Sequence, residues 1–218
     1  YGTAIVGTVS GTSISFGSDI TYNNAITSYP FAIYDKNAKK IVIAYRDNSN
    51  SGYGTAIVGT VSGTSISFGS EIVFNSGTTI HLSAAYDANL GKIVIPYRDS
   101  SNSNYGTVIT GTVSNTSITF DTETVFEQAT TNHTGIAYDA SAKKTAIVYT
   151  DGGNSNKGTA LVYQASGSAT NLTAENYIGM SKGDVLTQTQ SAGTLVEYHS
   201  TDTRGNNAVY DANAGKVV

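Results

Sequence analysis

Three sets of residues with chemically capable side chains recur along the 218-residue chain, mostly at intervals of 52. The first is a Tyr-Asp pair: Tyr34-Asp35, Tyr86-Asp87, Tyr138-Asp139 and, after a longer step of 72, Tyr210-Asp211. Each continues as a polar stretch (Asp35-Lys36-Asn37, Asp87-Ala88-Asn89, Asp139-Ala140-Ser141, Asp211-Ala212-Asn213) that has the look of a calcium loop. Such a loop requires a bidentate Glu at its twelfth position. Counting from Asp35 and Asp87, that position holds Arg46 and Arg98, the wrong charge. The pattern predicts instead an Asp carboxylate that accepts backbone N–H bonds and caps a hairpin turn. No metal is expected there.

The second set is Tyr45-Arg46-Asp47, Tyr97-Arg98-Asp99 and the degraded Tyr149-Thr150-Asp151. Neighbours on a strand point to opposite faces, so the Tyr packs between repeats and the Arg faces the other way. Two readings stay open. One is a repeated ligand pocket, with Arg and Asp hydrogen-bonding hydroxyls and Tyr offering a stacking face. The other is an ion pair between repeats with a turn cap, since surface ion pairs are common and weak.

The third set is positional. Six residues before each landmark Asp lie Tyr29, His81, His133 and Gly205, with Arg204 beside the last. If the Tyr-Asp strand is innermost in its sheet, these residues sit at one mouth of a central channel, where ligand sites concentrate. His81 and His133 could serve as acid/base groups or metal ligands. Tyr and Gly in the other copies make a poor metal shell, and solvated rim residues are the plainer reading. The candidate ligand-binding set is therefore Tyr29, His81, His133, Arg204, Tyr45, Arg46, Asp47, Tyr97, Arg98 and Asp99, with no catalytic set, metal or cofactor.

A catalytic constellation would break the internal symmetry of the repeat. Sialidase propellers need an arginine cluster and a Tyr–Glu nucleophile pair. Here the three Arg are Arg46, Arg98 and Arg204, and two of them are repeat-equivalent. Other glycosidases need two carboxylates at a defined separation. Of Glu71, Glu123, Glu127, Glu175 and Glu197, the first two share their repeat position with Asp19 and read as surface features. No phosphate loop, HExxH or nucleophile elbow occurs. Asp184, Glu197, His199 and Asp202 lie in the divergent fourth unit and are candidates by location alone. Asn115, Asn132 and Asn171 open N-x-Ser/Thr triplets, which chance explains in a chain this rich in Asn, Ser and Thr.

These residues must be positioned by the repeat itself. Units run 1–52, 53–104, 105–156 and 157–218, and residues 1–18 are identical to 53–70. The fourth unit carries about 20 extra residues within 165–200, by the difference between steps of 72 and 52. Each unit reads as four short strands, in unit one about Thr3–Val9, Ser13–Tyr22, Pro30–Tyr34 and Lys40–Arg46. Val, Ile, Thr, Tyr and Phe alternate with polar residues there. Gly11-Thr12 and the Asp-Asn-Ser-Asn-Ser-Gly stretch at 47–52 supply turns, and no helical period is present. The two prolines fall near strand ends or edges on this reading. Four strands per repeat predict an all-β fold, a β-propeller of four-stranded antiparallel blades, either four blades or part of a larger ring. The alternative is a β-solenoid or fibre. The last unit stops ten residues short of its expected length, so the window of a longer array is expected over a closed ring.

Composition excludes other classes. With no Cys there is no disulfide framework or thiolate site. Twelve basic residues against sixteen acidic leave no cationic footprint for nucleic acid. No apolar run reaches the roughly 20 residues of a membrane span.

The run Ile-Ala-Tyr-Asp, Lys-Ile-Val-Ile-(Ala/Pro)-Tyr-Arg-Asp, then Tyr-Gly-Thr-Ala-Ile-Val-Gly-Thr-Val-Ser-Gly-Thr-Ser-Ile-Ser-Phe-Gly resembles repeats in large structural proteins of marine bacteriophages and aquatic metagenomes. The segment Leu172–Gly179 looks like one that follows such arrays, although a further Tyr-Asp hairpin arrives at 206–218. The resemblance implies a virion or cell-surface appendage protein, tail fibre included, and supplies no catalytic residues. The expected function is a non-enzymatic recognition or adhesion module for surface glycans, at an extracellular or virion surface. Its partners would be glycans or other copies of the assembly, with no nucleic acid and no membrane insertion. A purely structural appendage domain is the alternative, and a glycoside-active enzyme the third reading.

Overall fold

Alternation of β-branched and polar residues produces strands throughout. The structure, a computed structural model, describes residues 1–165 and the short strands at 172–173, 177–178, 210–211 and 216–217. Unit one contributes β1 (Gly2–Ala4), β2 (Gly7–Ser10), β3 (Ser13–Phe16), β4 (Ile20–Asn23), β5 (Thr27–Asp35) and β6 (Lys40–Asp47). Unit two contributes β7 (Tyr53–Ser62), β8 (Ser65–Phe68), β9 (Ile72–Ile80), β10 (Ala85–Asp87) and β11 (Lys92–Asp99). Unit three contributes β12 (Tyr105–Ser114), β13 (Ser117–Phe120), β14 (Thr124–Asp139) and β15 (Lys144–Asp151). Then follow a 3-10 turn at Gly152–Asn154, β16 (Lys157–Ala165), β17 (Leu172–Thr173), β18 (Tyr177–Ile178), β19 (Tyr210–Asp211) and β20 (Lys216–Val217). The fold is all-β, with no α-helix among the described residues. The fourth-unit candidates Asp184, Glu197, His199, Asp202, Arg204 and Gly205, and the additional residues expected within 165–200, lie outside the described residues apart from these short strands.

Among the described residues all pairing is antiparallel: three two-stranded pairs, β1–β4, β2–β3 and β19–β20, and one 14-stranded sheet whose path includes β5-β6-β7-β9 and β11-β12-β14-β15-β16. Locally it is a series of four-stranded meanders. In the first, β5 pairs β6, β6 pairs β7, and β7 pairs the start of β9. The last strand of a meander then runs on as the first strand of the next. The start of β14 pairs β12 up to Thr130, and from Thr131 it pairs β15. Each meander therefore straddles a boundary of the 52-residue unit, and the Tyr-Asp strand lies at its edge.

Two strand expectations are corrected. Ser13–Tyr22 is two strands, because the Gly17 N–H bonds the Val6 carbonyl and ends the β2–β3 hairpin before β4 turns back to pair β1. Pro30 lies on the edge strand β5, as expected, whereas Pro96 lies inside a strand that is paired on both sides. Pro30 occupies a bulge of β5, where the ladder is already interrupted. Pro96 is in a central strand, and its carbonyl accepts from Ser83 N–H at 3.1 Å on the side of the irregular 81–84 segment. The missing proline N–H faces that segment, so the regular ladder there resumes only at Ala85.

Period-two alternation sends one side chain to each neighbouring meander. Val42, Ala44, Ala56 and Val58 pack with Ile93, Ile95, Tyr97 and Ile109 in one core. On the opposite face of the same strands, Ile43, Tyr45 and Ile57 pack with Tyr22. Val94 and Val108 pack against Ile136, Ile147, Tyr149 and Leu161. Meanders thus stack face to face, each interface rebuilding the one 52 residues earlier. A buried aliphatic side chain stabilises such a layer by about 1.5–3 kcal/mol.

Glycine in the Tyr-Gly-Thr start has a packing role. A Cβ on Gly106 would lie 2.6 Å from the Phe126 ring and 2.7 Å from Thr131 Oγ1. Tyr22 and Phe74 cover Gly2 and Gly54 in the same way.

Candidate functional site

The Asp residues are turn caps. Asp35 Oδ1 accepts from Asn37 and Ala38 N–H, both at 2.9 Å. Asp87 and Asp139 do the same two and three residues on. Asp47, Asp99 and Asp151 repeat the geometry at the second turn. The hairpin-cap reading of the Tyr-Asp element holds, and Asp47 and Asp99 serve as caps too.

Tyr45, Tyr97 and Tyr149 are fully buried between meanders. Tyr45 Oη donates to Glu71 Oε1 at 2.6 Å, and Tyr97 Oη to Glu123 Oε2 at 2.6 Å. Tyr149 Oη donates to Glu127 Oε2 at 2.9 Å, a carboxylate at the repeat position of Asn23 and Asn75. Glu71 and Glu123 are exposed residues, as expected, yet each also bonds a core phenol. The signal for these pairs was the constant separation of 26 residues from the Tyr of the Tyr-Arg-Asp motif. Burial and the adjacent carboxylate push the Tyr45 and Tyr97 phenols far above their ordinary range. A phenol that is buried and held protonated is no nucleophile, so these Tyr–Glu pairs are structural.

The arginines face away from the buried tyrosines. Arg98 Nη1 donates to Asn132 Oδ1 of the following repeat. The ion pair considered for Arg46 and Arg98 does not form: neither lies within 4.0 Å of a carboxylate among the described residues. The Nε atoms of both are buried without a hydrogen-bond partner.

Tyr29, His81 and His133 come together. Opposite each buried Tyr of the Tyr-Arg-Asp motif, the edge strand carries one residue too many. Ser28 pairs Arg46 and Phe31 pairs Ala44, so Tyr29 and Pro30 together oppose Tyr45. Asn132 pairs Thr150 and Gly135 pairs Val148, so His133 and Thr134 oppose Tyr149. Ile80 pairs Arg98, and His81 and Leu82 oppose Tyr97. The first bulge residue is left-handed each time, with φ of 54° at Tyr29, 53° at His81 and 51° at His133. Non-glycine residues in that region cost about 1–3 kcal/mol each and persist where the surroundings over-determine them. The bulge re-aims the three side chains into one column. The Tyr29 and His81 ring centroids are 5.8 Å apart, and those of His81 and His133 are 4.5 Å apart. Tyr29 is exposed at 39 %, whereas His81 and His133 are half-buried.

Thr134 ties the column to its neighbour: its hydroxyl donates to the His81 carbonyl and lies 3.1 Å from Ser83 Oγ. Asn132, missed as a ligand-site residue by sequence, enters through Arg98. Its repeat equivalents are Ile80 and Ser28, so spacing alone carried no signal. Among the described residues no group of three or more His, Cys, Asp or Glu is arranged to hold a metal ion. An open surface depression of about 480 Å3 lined by Tyr1, Asn24, Ala25, Ile26, Asn48 and Ser49 holds no acid/base pair.

Burial, then the Arg98 guanidinium and then His133 lower the His81 pKa from 6.5 to about 4. The unfolded chain therefore takes up this proton first as pH falls. The contribution of His81 to stability is full above about 6.5 and is lost as pH falls toward 4. After discounting for solvent, the expected loss is about 2 kcal/mol. Urea midpoints at pH 7.5 and 4.5 should show a steeper acid decline in wild type than in His81→Gln, and equal declines would refute the assignment. Comparison with protein-family models, with curated proteins and with solved structures returns no match.

Proposed function

We propose that the chain is a non-enzymatic recognition module, with its stacked meanders acting as blades of a β-propeller and its ring column binding glycans on a virion or cell surface. The observation that carries this reading is the column itself. Three repeat-equivalent side chains are held in a disfavoured backbone region and aligned at ring-stacking distances. Packing alone is served by the cores on either face of each meander, which do not use these residues. Left-handed backbone also recurs at turn residues such as Ser51, Ser103 and Ser155; the Tyr29 set differs in lying at strand bulges with its rings in mutual contact. Flat rings suit the apolar face of a sugar, and Arg98 and Asn132 can hydrogen-bond its hydroxyls. The propeller reading is supported by the four-stranded meanders, each with the Tyr-Asp strand at its edge, and by their face-to-face stacking.

The test is a glycan array probed with the full chain and with a Tyr29→Ala, His133→Ala double variant. The expected result is binding that drops at least about tenfold in the variant, a change of about 1.4 kcal/mol. No hit on the array, or equal signals from the two proteins, overturns the reading.

A further inference from the structure

We propose that the column is an oxyanion site: Arg46 and Arg98 take a carboxylate or sulfate group carried on the glycan. This rests on the glycan reading above and narrows it to acidic saccharides.

Charge accounting at the site comes first. Arg46 and Arg98 are part-buried, and neither has a carboxylate within 4.0 Å among the described residues. Arg98 bonds only a neutral amide, that of Asn132. Arg46 stands one repeat earlier, where the residue matching Asn132 is Ile80, and its buried Nε has no hydrogen-bond partner among the described residues. The nearest acidic residues in sequence, Asp47 and Asp99, direct Oδ1 at the N–H groups of their own turns. A part-buried guanidinium with no carboxylate beside it is costly, and an oxyanion placed against it offsets part of that cost. A guanidinium fork matches carboxylate and sulfate oxygens two at a time.

The groups facing His81 say the same. They are Tyr29 on β5, Arg98 on β11 and His133 on β14, with no carboxylate among them. Burial first, and then Arg98 and His133, disfavour positive charge at His81, which works against a metal cation there as well. An anion reverses this, because each negative charge placed beside Arg98 offsets its repulsion of the imidazolium. The ring column remains free to stack on the sugar that carries the acidic group.

The experiment is isothermal titration of the full chain at low salt. The probes are an oligogalacturonate, a sulfated galactan oligomer, a neutral galactan oligomer of equal length and a short DNA duplex. The acidic oligomers should bind at least about tenfold tighter than the neutral one, with the preference shrinking as salt rises. The galacturonate and sulfated arms distinguish carboxylate from sulfate as the source. Arg46→Gln, Arg98→Gln should bring the acidic and neutral oligomers to equal affinity, and a preference that survives the substitutions overturns the inference. Equal affinity of the wild-type chain for acidic and neutral oligomers overturns this inference and spares the glycan reading. Equally tight DNA binding overturns it as well. Absence of any saccharide binding overturns the glycan reading, and NMR titration of His81 with sodium sulfate then decides the oxyanion site alone. A rise in the His81 pKa with sulfate supports the site, and an unchanged pKa overturns it.

Discussion

Tyr97→Ala is expected to destabilise the protein by about 4 kcal/mol, the range for deleting a large buried aromatic. Tyr97 has no exposed surface and packs with Ile95, Ile109 and Phe74, whose ring centroid lies 5.5 Å away. The variant leaves a cavity between two meanders and strips the Glu123 carboxylate of its 2.6 Å bond. Tyr97→Phe separates these effects. The ring stays, and the exposed Glu123 is free to rebond to water, so the loss should be about 1 kcal/mol. In a stack where each layer touches only its neighbours, damage is expected to be local. Hydrogen exchange should show lost protection in β9 to β12 with β15 less affected, alongside a lowered urea midpoint. A Tyr97→Ala loss below about 1 kcal/mol would show that the interface collapses around the hole.

Gly69→Ala is expected to cost about 3 kcal/mol, at the upper end for overpacking. The new Cβ would fall inside the contact radius of the Thr116 carbonyl oxygen and 3.0 Å from the carbonyl carbon. Both atoms are backbone, so no rotamer change relieves the clash. Gly17 meets the Thr64 carbonyl in the same way, one repeat earlier. The tip of each hairpin therefore rests on the end of the previous one, and the glycine permits the approach. Gly63→Asn is the control. Gly63 has φ of 61° with open space around a Cβ, and its equivalent Asn115 adopts 55°. Thermal melts should show a large fall for Gly69→Ala and little change for Gly63→Asn. Equal melting temperatures for the two variants would refute the contact.

Much of this arrangement is legible in the sequence. The 52-residue period, the alternation in Lys40–Asp47 and the Asp-led turns specify strands, hairpins and caps, because these depend on near neighbours in the chain. The outward face of Arg98 opposite a buried Tyr97 follows from strand alternation alone. Part of the candidate site was readable for the same reason: Tyr29, His81 and His133 share a repeat position and so must share a place in successive layers.

Other features depended on atoms far apart in sequence. That Tyr29, His81 and His133 form a column required the bulge opposite each buried Tyr, and a bulge adds a residue without changing the composition. Asn132 joined the site only because Arg98 of one repeat reaches the next. Glu71 and Glu123 look like surface carboxylates along the chain, and across the stack they close hydrogen bonds to core tyrosines. The ion pair considered for the arginines does not form, and Asp47 and Asp99 accept N–H bonds from their own turns. Sequence by itself determined the repeat, the strands and the turn chemistry, since local propensity and period-two patterning act within a few residues. Only the tertiary structure decided which repeated side chains meet, since face-to-face stacking brings together groups about 50 residues apart along the chain.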